Sequence, residues 1–149
     1  MSKFRVEHDS MGELQVPAEA LWGAQTQRAV DNFPVSGRTM PARFIRALGL
    51  VKAAAAETNT RQGHISKRRG AAIRKAALQV AEGDYNAQFP IDVFQTGSGT
   101  SSNMNANEVI ANRCSQMAGK ALGSKDPVHP NAHVNHTQSP NDPFPTPTH

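Results

Sequence analysis

Two alanine-rich segments set back to back, TMPARFIRALGLVKAAAAETNTRQG from residue 39 and SKRRGAAIRKAALQVAEG from residue 66, constrain the fold of this chain more than any other feature. In the first, Phe44, Leu48, Val51 and Ala55 fall on one face of a helix, Pro41 sits where a first turn tolerates proline, and Gly63 is a C-terminal stop. In the second, Ser66 is placed as N-cap, Ile73, Ala76, Ala77 and Val80 form the apolar stripe, and Gly83 terminates it. The spacing predicts a helical hairpin. Hydrophobic residues make up 38% of the chain and aromatics only 5%, so a core here is built from small aliphatic side chains, which suit close helix packing.

The rest of the chain extends that plan. Residues 4 to 16 read as two short extended pieces around Met11 and Gly12, with Phe4 and Val6 alternating in one and Leu14 and Val16 in the other. A short helical pattern runs from Ala18 to about Asn32, ahead of Pro34. Another helix is expected from Ser101 or Ser102, with Ala106, Ile110, Cys114, Met117 and Ala121 along one side, Asn107, Asn112, Arg113 and Lys120 facing outward, and Gly119 or Gly123 closing it. From residue 125 onward six prolines and four histidines replace the apolar periodicity, which predicts an extended tail. The expected fold class is mainly α with a short β-hairpin at the start, divided into a helical domain over 1–124 and a Pro/His-rich segment over 125–149.

Charge narrows the function classes. The net charge is +4, from 16 Lys and Arg against 12 Asp and Glu, and the basic residues concentrate in KRRGAAIRK, residues 67 to 75. That run has no interleaved aromatics, so it reads as a solvated helix face, and no nucleic-acid partner is expected. Cys114 is the single cysteine, which excludes an internal disulfide and leaves the thiol to pack as a small hydrophobe. The N-terminus lacks an apolar signal region, and no run reaches the roughly 18 apolar residues of a membrane span, so a cytoplasmic chain is expected.

Three motifs carry possible chemistry. FQTGSGTSSNMN, from residue 94, places Gly97 and Gly99 just before a helix N-terminus, an arrangement that lets backbone N–H groups reach an anion. It lacks the Lys-Ser/Thr of a phosphate-binding P-loop, and Ser102 stands where a dinucleotide fingerprint needs its third glycine. Ser98, Thr100, Ser101, Ser102, Asn103 and Asn105 are neutral donors of the kind that suit a carboxylate. A capping Ser102 beside a glycine turn accounts for the same pattern, and both readings stay open on the local residues. HPNAHVNH spaces His129, His133 and His136 by four and three, but Pro130 argues against a helical first turn, so a polar surface loop is expected and no metal. QSPND, ending at Asp142, reads as a turn before Pro143.

Together these residues resemble one family closely. FPIDVFQTGSGTSSNMNANEVIANR is similar to the first motif region of class II fumarases, whose superfamily includes aspartase, argininosuccinate lyase and adenylosuccinate lyase. MGELQVPAEALWGAQTQRAVDNFPVSG resembles the fumarase N-terminal segment, and KDPVHPNAHVNHTQSPNDPFPT its second region. The resemblance implies the N-terminal helical domain of the fumarase/aspartase fold, with the central helical bundle missing. It also implies hydration of fumarate to L-malate in the tricarboxylic acid cycle, no cofactor, and a homotetramer for the complete protein. Position by position, Ser98, Gly99 and Thr100 match the substrate-binding loop, and Ser139, Pro140 and Asn141 the segment gripping the dicarboxylate. His129, Pro130, Asn131 and Ala132 match a secondary carboxylate site.

Two of these positions depart from the family pattern: Ala132 stands where an aspartate is usual, and Pro140 where a second serine is usual. Pro143 and Pro147 fall where the family begins a long helix. The general-acid histidine and the catalytic serine of the family lie beyond residue 149, so no catalytic residue is expected within this chain, which reads as an N-terminal fragment that holds substrate and is inactive alone. The alternatives are an aspartate ammonia-lyase of the same superfamily, or a non-catalytic piece that pairs with full-length subunits.

Overall fold

A computed structural model describes residues 3–32, 40–91 and 100–135. Strands β1 (Phe4–Asp9) and β2 (Gly12–Pro17) form an antiparallel hairpin in which Phe4 pairs with Pro17 and Asp9 with Gly12. Helices α1 (Ala24–Asn32), α2 (Ala42–Arg61), α3 (Lys67–Ala81) and α4 (Thr100–Met117) follow, with a 3-10 turn at Asn86–Gln88 and a π-helical turn at Pro130–Val134. The mainly helical fold with one hairpin is as expected. Among the described residues no helix is long and apolar enough to cross a membrane.

The hairpin turns at Met11 and Gly12, where Gly12 takes φ +119 and Asp9 Oδ1 accepts the Met11 N–H at 2.9 Å. Its alternation has an unexpected sense. Arg5, Glu7 and Asp9 share the face of Val16 and point toward the body, whereas Phe4 and Val6 are exposed. The Arg5 guanidinium donates to the carbonyls of Pro17, Ala18, Ala20 and Trp22. Those carbonyls are thereby taken from helical pairing, so the helix expected from Ala18 begins only at Ala24.

Helices α2 and α3 pack as the predicted hairpin. Ser66 caps α3 by accepting the Arg69 N–H at 3.1 Å, and the expected stripe of Ile73, Ala76, Ala77 and Val80 is fully buried. The crossing is close because Gly49 lies against the α3 backbone, where a Cβ would meet Ala77 O and Ala81 N at 2.6 Å. On α2 the buried face is centred one residue beyond the expected one: Ile45, Leu48, Gly49, Lys52, Ala56 and Asn59 are inside, and Phe44, Val51 and Ala55 are only half-buried. Contact with both α3 and α4 rotates and widens that face. Gly63 and Gly83 take φ +79 and +95 just past the two helix ends, as the stop positions require. The basic residues of 67–75 are exposed along α3, as expected of a solvated face.

Helix α4 starts at Thr100, slightly ahead of the expected serines, and ends at Met117, with Gly119 at φ +73 behind it. Ala106, Ile110 and Cys114 are buried as expected; burial pushes the Cys114 thiol up to about 12, so it behaves as an apolar filler. Asn107 and Asn112 are also buried, contrary to the outward placement. Asn112 donates to Leu21 O at 2.6 Å and accepts the Gly123 N–H at 2.9 Å, so its amide ties together two loops on either side of the helix. Ala121 lies past the helix end and is exposed.

The segment after residue 124 is not an extended tail as far as residue 135. Val128 and Val134 are buried in the core, and between them Pro130 takes the first helical position, where no N–H is needed.

Candidate functional site

Of the residues matched to carboxylate binding, the structure describes the turn at Pro130–Val134, which packs against α4. Thr100 opens the helix, while Ser98 and Gly99, with Ser139, Pro140 and Asn141, lie outside the described residues. In the first turns of α4, Ser102 and Asn105 are fully buried, and Asn105 donates to Gln88 O at 3.0 Å. Gln88 in turn accepts the Leu21 N–H at 2.7 Å, which links the start of α4 to the corner that Arg5 organises.

Behind this end of α4 stands Lys52 of α2, 1% exposed. Its Nζ donates to Asn103 Oδ1 at 2.6 Å, and Asn103 Nδ2 donates to Asn135 Oδ1 at 3.2 Å. Burial brings the ammonium down to about 7. Sequence reasoning passed over Lys52, although its signal was present: it continues the i, i+3, i+4 series of Ile45, Leu48 and Ala56, and a lysine inside an apolar stripe is unusual.

The matched residues His129, Pro130, Asn131 and Ala132 form one compact turn. His129 Nδ1 accepts the N–H groups of Asn131 at 3.0 Å and Ala132 at 3.2 Å, while the His129 N–H donates to His133 Nδ1 at 2.8 Å. These ring nitrogens serve as caps, and among the described residues no group of three His, Cys, Asp or Glu could hold a metal. Accepting at Nδ1 leaves the proton on Nε2, so the neutral ring presents a donor outward. Partial burial, and then the nearby Lys125 charge, lower the His129 pKa and favour that neutral form.

This turn lines a cavity of about 260 Å³ shared with Lys125, with Met104, Glu108 and Asn112 of α4, and with the inward face of β1. The acidic groups there are occupied structurally. Glu7 accepts from Arg5 Nε at 2.7 Å, and Arg28 holds Asp9 below the usual carboxylate range through contacts at 2.6 and 2.8 Å. Glu108 accepts the N–H groups of Gly23, Gln25 and Thr26 at the start of α1. Burial raises its pKa, against the opposing pull of those donors. Beside these, the lining includes groups able to donate to a solute, among them the His129 ring, the Asn131 amide and Lys125, the last presented at φ 60. Such a set can bind a carboxylate.

A protein-family model described as lyase matches residues 12–149. The chain is 60% identical over 144 residues to a class II fumarate hydratase of Xylella fastidiosa, covering 97% of this chain and 29% of that protein. Among solved structures, a fumarate lyase:delta crystallin from Brucella melitensis in native form superposes with a TM-score of 0.87 at 46% identity, over 93% of this chain and 32% of the other. A recombinant class II fumarase from Schistosoma mansoni does so with a TM-score of 0.83 at 43% identity, over 89% and 28%. The chain therefore spans less than a third of the length of these proteins.

Proposed function

We propose that this chain, which belongs to the lyase family, supplies the substrate-holding segments of a fumarate hydratase that interconverts fumarate and L-malate. The observation that carries this reading is the 60% identity to a class II fumarate hydratase across nearly the whole chain. Water addition to fumarate passes through a carbanion beside a carboxylate, whose charge spreads onto the carboxylate oxygens. Neutral donors aimed at those oxygens lower the barrier. Ser98, Gly99 and Thr100, with Ser139, Pro140 and Asn141, are the segments assigned to that role. His129, Pro130, Asn131 and Ala132 form a secondary carboxylate site, for which the outward donors around Lys125 are suitable. The proton-transferring groups are supplied from outside these 149 residues, in a cytoplasmic homotetramer of full-length subunits, and the reaction needs no metal or organic cofactor. Residues 1–124 form the helical domain, and 125–149 lead toward the central domain.

The test is to assay the purified chain with fumarate while following fumarate binding separately. Binding without turnover is the expected result; hydration by the chain alone would show that the proton-transfer groups lie within it. The competing ammonia-lyase reading predicts that L-aspartate binds in preference to L-malate.

A further inference from the structure

Between α3 and the C-terminal end of α4 lies a second cavity, of about 590 Å³, which shares no lining residue with the one beside His129. Its apolar wall is made by Ala72 of α3, Cys114 and Met117 of α4, and Pro127. Cys114 is 1% exposed, and the other three are half-buried. Three cations stand around that wall, Arg68 and Arg69 from the first turn of α3 and Lys120 from the loop after α4, and among the described residues no Asp or Glu lines it. The volume falls within the roughly 300–1,000 Å³ of small-molecule sites, which are commonly apolar with a few placed polar groups.

The fold leaves these cations open to an anion. Arg69 donates through Nε to Pro127 O at 2.8 Å, a contact that holds the guanidinium against the loop after α4 and leaves its two NH2 groups for another acceptor. Arg68 is exposed and joins no ion pair among the described residues. Lys120 meets Asp126 at 3.8 Å with both side chains more than half exposed, a pairing that contributes little and yields to a better-placed carboxylate. Water against the apolar wall finds few partners, so an apolar group that displaces it gains affinity. A ligand that satisfies both halves has a charged end and an apolar end. Fumarate does not, because a carboxylate on the cations would leave its second charge unpaired against Ala72 and Met117.

We propose that this cavity is a binding site for a small amphipathic monocarboxylate, whose head is held by Arg68, Arg69 and Lys120 and whose apolar body lies on Ala72, Cys114, Met117 and Pro127. The site is separate from the segments assigned to fumarate and stands whether or not that reading holds. Guanidinium groups suit the head, because their planar fork meets both oxygens of one carboxylate. Cys114 contributes shape and apolar surface, as a small hydrophobe.

The probe is octanoate, kept below its micelle concentration, titrated into the isotopically labelled 149-residue chain and read from the backbone amides by NMR. The amides of residues 66–72 and 114–120 are expected to shift along one saturable curve. Acetate, which has the head alone, and fumarate should leave those amides unmoved. Octanol, which has the body alone, should bind about tenfold to a hundredfold more weakly for want of hydrogen bonds to a charged group. Arg68→Gln should weaken octanoate about tenfold and leave octanol unchanged, which separates loss of the head contact from loss of the fold. Ala72→Leu should abolish binding of both by filling the cavity; if that chain does not fold, Ala118→Leu fills it from the exposed end of α4. No response to octanoate, equal affinity for octanoate and octanol, or shifts scattered over the surface would overturn the proposal. Shifts at 66–72 and 114–120 that follow protein concentration instead of octanoate would make the cavity a contact between copies of the chain, and would overturn it as well.

Discussion

Glu108 on α4 accepts the N–H of Gly23 at 2.9 Å, and this carboxylate, 85 positions away in sequence, is the N-terminal cap of α1. The approach is close: a Cβ at residue 23 would lie 3.0 Å from the Glu108 carboxyl carbon, so the carboxylate would have to give by a few tenths of an ångström. Replacing Glu108 with Gln turns one acceptor oxygen into a donor that faces backbone N–H groups. A loss of about 1–3 kcal/mol of stability is expected, measured by urea unfolding. The pH dependence gives a second check. Because burial raises the folded-state pKa, Glu108 stabilises the fold most below its unfolded value of 4.5 and loses that contribution as pH rises toward the folded value. The non-titrating Gln variant flattens this part of the stability profile.

Gly49 sets the distance between α2 and α3. A methyl group there would press on backbone atoms of Ala77 and Ala81, which cannot move without shifting the whole of α3. Gly49→Ala is expected to cost about 1–3 kcal/mol despite the better helix propensity of alanine. Gly63→Ala is the informative comparison. Nothing lies within 4 Å of its added Cβ, so only the left-handed φ of +79 opposes it, and the expected cost is about 1 kcal/mol. Thermal unfolding of the two variants separates a packing constraint from a backbone one.

The α2–α3 hairpin was legible in the sequence because Ser66, Gly63, Gly83 and the Ile73 to Val80 stripe each announce themselves within a few residues. The misread elements share another cause: their conformation is decided by a distant side chain. Residues 18 to 23 have helical composition, but Ala18, Ala20 and Trp22 surrender their carbonyls to Arg5, and Asn107 and Asn112 look solvent-facing until α1, α2, α3 and the Pro130–Val134 turn pack around α4. The turn after Val128 was hidden because a proline suggests irregular chain, whereas here it occupies the first helical position and a histidine ring supplies the cap. Of the candidate site, the motif residues could be located by pattern, but Lys52 and Asn135 could not be connected, since their link runs through Asn103 across three elements.

Lys52 predicts a distinctive pH dependence. Its folded pKa is depressed from 10.5 to about 7, so at pH between these values the unfolded chain holds a proton that the folded chain has largely given up. Stability therefore rises with pH across that window, and the gain is lost as pH falls from 10.5 to about 7, by at most about 5 kcal/mol in all. Lys52→Met removes the titration. The difference in unfolding free energy between wild type and variant, followed from pH 7 to 10.5, should change steadily in favour of the wild type. A flat difference would mean that the ammonium finds solvation in the folded state.

Pro140 bears on affinity. It stands where the resembling family has the second serine of Gln-Ser-Ser-Asn, and proline offers neither a hydroxyl nor an N–H to a carboxylate. If residue 140 faces the dicarboxylate, Pro140→Ser restores a hydrogen bond to a charged oxygen, worth about 1.5–3 kcal/mol. Fumarate should then bind about tenfold to a hundredfold more tightly, a change that calorimetric titration of the 149-residue chain resolves. The rise should be specific for dicarboxylates, with acetate unaffected, because the second carboxylate is what brings the first within reach of residue 140. Equal affinity in the two chains would place residue 140 away from the substrate, leaving Ser139 and Asn141 as the contacts from this segment.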